Sequence, residues 1–145
     1  IGDGPCMGAL KDLATQLGVE EAVFFDGFLD SDADVFSRMK SAKLAVLPSS
    51  REGFGLTLVQ AWACGLPAVV CRGAENAMAL MIENESLGEV VDPTPEQLAT
   101  ACERQLRAAA PELRRSRFDF AKRQYDEGRV AAAIADLLES TVRRR

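Results

Sequence analysis

Leu44-Ala-Val-Leu47 runs directly into Pro48-Ser-Ser-Arg-Glu-Gly-Phe-Gly-Leu-Thr-Leu-Val-Gln-Ala-Trp-Ala-Cys-Gly-Leu-Pro67, and this stretch decides the architecture. Its first four residues are an apolar run of strand length, closed by Pro48. Gly53 and Gly55 then provide a loop whose backbone can turn sharply and come close to a ligand. A helix is expected from about Leu56. Leu58, Val59, Ala61, Trp62 and Ala63 make it apolar nearly all round, so it is expected to be buried, with Gly65 as its C′ residue and Pro67 preventing its continuation. The free first N–H groups of that helix, and roughly half a positive charge from its macrodipole, face the loop and suit a phosphate. Glu52 stands just before. A carboxylate would repel a bare phosphate, but it accepts hydrogen bonds from the hydroxyls of a ligand that carries a sugar beside its phosphates.

Working outward, the same alternation repeats. Gly2-Asp-Gly-Pro5 fails as a dinucleotide fingerprint, because Met7 stands where the third glycine is required. It reads as a tight turn into an amphipathic helix with Ala9, Leu10, Leu13, Ala14 and Leu17 inward and Gly18 as its cap. Val23, Phe24 and Phe25 read as a short buried strand, and Ser31 or Asp32 caps a helix through Val35, Phe36 and Met39. After the central stretch, Ala68 to Cys71 is a further buried strand. Glu75 to Ile82 reads as a helix facing the strand ends, which makes Glu75 and Asn76 secondary site candidates, with plain capping the stronger reading. Glu89 to Asp92 is a last strand, and helices follow from Pro93, over Pro111 to Lys122, and over Asp126 to Val142. The last carries an apolar stripe of Val130, Ile134, Leu137 and Leu138. Alternating strands and helices of this kind predict an α/β fold whose ligands bind at the carboxyl ends of the strands.

Composition narrows the function. The 145 residues are 48% apolar with a formal net charge of −5, the size and make-up of one globular domain. No apolar run reaches the roughly 18 residues of a bilayer span, and no signal peptide opens the chain, so a cytoplasmic location is expected. Cys6, Cys64, Cys71 and Cys102 form no C-x-x-C pair, and there is no histidine to complete a zinc site or act as general base. The charge is split: residues up to 103 carry 6 basic and 16 acidic side chains, and the remainder carry 11 basic and 6 acidic. The acidic balance argues against nucleic acid as a partner. The basic C-terminal part reads as a solvated helix surface, with peripheral contact to anionic lipid at the cytoplasmic face as the other use open to it.

Pro48-Ser-x-x-Glu-Gly-Phe-Gly-Leu56 and Ala61-x-Ala-Cys-Gly-x-Pro67 closely resemble the donor-site motif of retaining glycosyltransferases of the family 4 type, which have the GT-B fold. Ile1-Gly-Asp-Gly-Pro5, Val23-Phe-Phe-Asp-Gly27 with Phe28-Leu-Asp30, and Val91-Asp-Pro93 resemble the family's other landmarks, in the same order. The resemblance runs over almost the whole chain. It implies a Rossmann-like doubly wound parallel sheet, the C-terminal half of a GT-B fold lacking its first strand-helix unit, with C-terminal helices added. Residues 1–145 would be a single nucleotide-sugar (donor) binding domain, a fragment of a two-domain enzyme whose N-terminal acceptor domain is missing. The implied activity is transfer of a sugar from a nucleoside-diphosphate sugar to a glycan, lipid or other acceptor with retention of configuration, as in polysaccharide biosynthesis, without metal or other cofactor.

By the same resemblance Glu52 serves the reaction through the donor-sugar hydroxyls, Gly53, Phe54, Gly55, Leu56 and Thr57 hold sugar and diphosphate, and Phe28 and Leu29 lie near the base. The family's basic pair would precede Ile1; Arg51 and Arg72 do not replace it by position. One residue departs from the pattern. Gln60 stands where the family has a second glutamate for the ribose hydroxyls, and an amide loses the charge assistance of a carboxylate. The alternative is therefore a catalytically inactive module that binds sugar nucleotides or a partner.

Overall fold

The computed structural model describes residues 1–83, 87–108 and 110–142. It divides into two compact units, residues 1–38 and 39–145. The first contains α1 (Met7–Gln16), a single 3₁₀ turn (Glu20–Ala22) and most of α2 (Asp32–Ser41). Gly18 ends the α1 turn at φ +65, as expected, and the Ser31 hydroxyl accepts from the Ala33 N–H at α2. The expected strand at Val23 to Phe25 does not form: residues 19–31 contain no ladder, and Phe24 is 82% exposed. A parallel strand needs a row of neighbouring bonds, whereas here the Gly2 N–H bonds the Gly27 carbonyl without a ladder around it. Of the α1 stripe only Ala14 is buried. Leu10, Leu13 and Leu17 stay 48% to 66% exposed, because the unit offers them no facing layer.

The second unit carries the sheet. β1 (Ala45–Leu47), β3 (Ala68–Cys71) and β5 (Gly88–Val91) pair in parallel in the order β1-β3-β5, with Val46 opposite Val69 and Val70 opposite Val90. A smaller parallel pair, β2 (Arg51–Glu52) and β4 (Glu75–Asn76), stands beyond their carboxyl ends. Helices α3 (Leu56–Ala63), α4 (Ala77–Glu83), α5 (Pro95–Arg107), α6 (Pro111–Tyr125) and α7 (Glu127–Val142) complete it.

Side chains of a strand alternate between faces, and β3 shows the result. Ala68 and Val70 face a core formed with Leu58, Val59 and Trp62 of α3, Met78 and Ile82 of α4, and Phe120 and Ala121 of α6. Val69 faces the opposite way, toward Val91 and Ala101, with Leu98 and Cys102 of α5 packed around them. Helices therefore cover both faces, and the doubly wound arrangement expected from the sequence is the one found. α3 and α4, the two crossovers, share a face, as crossovers of one hand must when strands are added in one direction.

Trp62 and Leu58 are fully buried, and burial of each such side chain stabilises by about 1.5–3 kcal/mol. The Trp62 indole N–H reaches the Leu87 carbonyl at 3.3 Å. α3 ends in a Schellman motif: the Leu66 N–H bonds the Ala61 carbonyl, the Gly65 N–H bonds the Trp62 carbonyl, and Gly65 has φ +77. A side chain at Gly65 would meet the Arg114 backbone oxygen at 2.8 Å, so the glycine also lets α6 approach. Cys64 and Cys71 are buried, Cys102 is half-buried and Cys6 is exposed; all four are free thiols.

Candidate functional site

The site grows from the carboxyl ends of β1 and β3, where two loops meet. Residues 48–55 leave β1 and residues 72–76 leave β3, and four kinds of contact lace them together. The β2-β4 ladder sets Glu52 opposite Asn76. The Arg51 Nε lies 2.6 Å from the Glu75 carboxylate. Gly73 lies so close to the Ser50 carbonyl that a Cβ would overlap it. Asn76, 4% exposed, donates from its Nδ2 to the Ser49 and Cys71 carbonyls, each at 2.9 Å.

The Asn76 Oδ1 also accepts from the Met78 N–H at 3.1 Å, so every polar atom of this buried amide is used. This capping explains a correction: α4 begins at Ala77, two residues later than Glu75, because Glu75 and Asn76 are held extended against β2. Between the loops lies a cleft of about 410 Å³ lined by Glu52, Gly53, Arg72, Gly73, Glu75 and Asn76, with the start of α4 closing one side.

Gly55 is the N-cap of α3, at φ 69 and ψ 52, and no side chain caps the helix there. Its left-handed backbone turns the chain from β2 into α3, a conformation that costs a residue with a Cβ about 1–2 kcal/mol. The place where its side chain would begin is filled by Met78 on one side and approached by the Glu52 Cγ at 3.6 Å on the other. The Gly55 carbonyl takes the N–H groups of Leu58 and Val59 at 2.8 and 3.2 Å. Those of Leu56 and Thr57 come before them, at the positive end of the helix. Phe54 swings away from the helix start and sets its ring edge-on to Tyr125, centroids 5.7 Å apart. Tyr125 touches Phe120, and Phe120 touches Trp62, so an aromatic chain ties the glycine loop to the core.

The residues singled out from the sequence divide accordingly. Glu52, Gly53, Phe54, Gly55, Leu56 and Thr57 are brought together in one loop and helix start, and Gln60 lies one turn further along α3, half-buried. Phe28, 74% exposed, and Leu29 belong to the first unit. The sequence reading missed Gly73, Met78 and Tyr125, and placed Asn76 only as a secondary candidate. A glycine directly after a buried strand signals a close approach; nothing in the spacing marks Met78 or Tyr125.

Known proteins give the site its context. Residues 1–124 match the family model described as glycosyl transferases group 1. The chain belongs to that family. The GDP-mannose-dependent alpha-(1-6)-phosphatidylinositol dimannoside mannosyltransferase of Mycobacterium tuberculosis is similar to this chain, 36% identical over 100 residues, 69% of this chain and 24% of that protein. The N-acetyl-alpha-D-glucosaminyl L-malate synthase of Bacillus anthracis is 36% identical over 72 residues, 50% of this chain and 18% of that protein. The chain thus spans about a quarter or less of the length of these relatives. In structure it resembles sucrose-phosphate synthase from Thermosynechococcus elongatus with a TM-score of 0.78, at 23% identity, over 99% of this chain and 38% of that one. That likeness shows the fold of this group 1 chain to be Rossmann-like, of the GT-B type.

Proposed function

We propose that this chain is the donor-binding domain of a retaining glycosyltransferase that moves a hexosyl group from a nucleoside-diphosphate sugar to a hydroxyl of a glycan or lipid. The observation that carries the reading is the juxtaposition of a carboxylate, Glu52, with the uncapped start of α3 across Gly55. The diphosphate lies against the Leu56 and Thr57 amides, where the helix dipole and two N–H groups offset its charge. Glu52 accepts hydrogen bonds from the donor-sugar hydroxyls and so fixes the ring over the diphosphate. Gln60 meets the ribose with one acceptor and one donor.

In the reaction the bond from the anomeric carbon to the phosphate oxygen breaks, the acceptor oxygen bonds that carbon from the same face, and the acceptor proton passes to the departing phosphate. Preorganised amides favour this step because charge grows on the oxygens they face. A double displacement would need a second carboxylate roughly 5 Å from the first across the bond; the motif supplies Glu52 alone. The chemistry is proposed to need no metal or other cofactor. The acceptor is proposed to bind on a partner domain at the cytoplasmic side of the membrane. The name of the mycobacterial relative favours GDP as the first nucleotide to try.

Calorimetric titration with GDP, UDP and ADP, with and without a chelator, tests the reading. One nucleotide is expected to bind equally well in both conditions, Gly55→Ala to abolish that binding, and Glu52→Ala to remove only the extra affinity of the matching nucleotide sugar. The alternative of an inactive module is motivated by Gln60. Silence with all three nucleotides, followed by binding in Gln60→Glu, would favour it.

A further inference from the structure

Parallel strands have two ends, and the loops described above occupy one of them. At the other, below the start of β1 and β3, lies a second cleft of about 300 Å³ lined by Lys43, Pro67, Ala110, Pro111, Arg114 and Arg117, with Gly65 at its edge. Three of its lining residues are cationic and none is a carboxylate. The neighbouring groove shares Arg114 and adds Lys40.

α6 starts at this cleft. Ala110 is its N-cap and makes no side-chain cap bond, and Pro111 holds the first helical position. Pro111 has no N–H, and those of Leu113 and Arg114 bond the Ala110 carbonyl, so this helix of 15 residues offers the cation-ringed space the Glu112 N–H and its positive dipole end. Arg114 and Arg117, three residues apart, lie on one face of its first two turns. Arg114 is partly committed, its Nη2 donating to the Lys40 carbonyl at 2.9 Å.

Arg117 is different. It is 6% exposed, yet its Nε has no hydrogen-bond partner among the described residues. A buried guanidinium normally has its donors satisfied, since an unpaired buried charge is among the costliest features of a fold. Burial accordingly weakens its hold on its proton. The same guanidinium lines the cationic cleft, and a ligand oxygen drawn in beside it is what its unanswered N–H lacks.

We propose that this cleft is a second, anion-binding site, specific for a phosphate group, in which Arg117 and Arg114 hold the oxygens, Lys43 closes the charge and the start of α6 supplies its positive dipole end and the Glu112 N–H. It lies at the opposite end of the strands from Glu52, so its ligand is distinct from a sugar donor. The phosphate comes either from a soluble phosphate ester or from a phospholipid headgroup.

The test follows arginine Nε–Hε signals in ¹⁵N-edited spectra, the Arg117 signal being identified by its loss in Arg117→Lys. On addition of inorganic phosphate at constant ionic strength the signal should move saturably, with no movement when chloride is added instead. Lys43→Gln, an exposed position whose change leaves the core untouched, should weaken the affinity about tenfold, the worth of one charge-assisted contact. Flotation with phosphatidylglycerol and with phosphatidylcholine vesicles separates the two sources. Selective capture by the anionic vesicles, lost in Lys43→Gln, identifies a headgroup; phosphate binding without capture identifies a soluble ester. A stationary Arg117 signal, equal movement with chloride, or unchanged phosphate affinity in Lys43→Gln overturns the proposal.

Discussion

At the scale of single residues, the site depends on two positions that tolerate no neighbour in the amino-acid alphabet. Gly55→Ala must adopt φ +69 and meet Met78, and the two costs together are about 2–4 kcal/mol. Urea denaturation should show that loss, and Met78→Ala placed beside it should restore the steric part but not the backbone part. Asn76→Ala leaves the Ser49 and Cys71 carbonyls without their donor and α4 without its cap, a loss of about 2–4 kcal/mol. Asn76→Asp should be worse, since a carboxylate would then face two carbonyl oxygens. A stability of Asn76→Asp equal to that of the parent would show that the amide does not hold the loops together. Gly55 and Glu52 were legible in the sequence because the loop, the helix start and the carboxylate are neighbours along the chain. Asn76 was legible only as a cap: its bond to Ser49 spans 27 residues, and no local pattern reports a side chain that turns back across two loops.

At the scale of elements, apolar patterning located the helices of the described residues, with α4 starting two residues late, since Gly65, Thr94 and Pro111 mark ends chemically. The failures share a cause. Val23 to Phe25 and the α1 stripe have the apolar residues of a strand and a buried face, but local sequence specifies only the willingness to pair, and pairing requires a second surface. Within the sheet unit, the packing of α5 on β5 carries a pH dependence. Arg104 bonds Glu89, and this bond, more than any other influence, holds the Glu89 carboxyl below the usual carboxylate range against the upward pull of burial. A folded value below the unfolded one favours the folded state once the carboxyl is ionised. The contribution is therefore complete above the ordinary carboxylate range and fades as pH falls through the lower folded value. Acid titrations of thermal stability should show Glu89→Gln less stable than the parent at neutral pH and the two converging in acid; a constant difference would assign the loss to packing instead. Phe54→Ala removes one edge-on ring contact worth about 0.5–1.5 kcal/mol. Hydrogen exchange of residues 53–57 should quicken while that of α3's buried turns does not change.

For the whole molecule, the core is unevenly shared. Among the described residues, every buried apolar residue apart from Ala14 lies in residues 39–142. Stability follows buried contact, so local opening should be easiest where burial is least. Amides of residues 1–38 are expected to exchange well before those of β3, and equal protection of both would contradict this division. The α/β class, the parallel sheet and the helices on both of its faces could be read from composition and alternation. The cleft at the far end of the strands could not, because Lys43, Arg114 and Arg117 converge only once α6 folds back on the turn at Gly65. The distribution of thiols has a practical consequence. Burial pushes the Cys64, Cys71 and Cys102 thiols up from their ordinary range, and reaction with electrophiles requires the thiolate, while Cys6 stands exposed on the first unit. A maleimide dye offered briefly at neutral pH should therefore attach once per molecule, at a single known address, and reach the other three sulfurs only as the sheet comes apart, which turns mass spectrometry of labelled protein into a clock for unfolding.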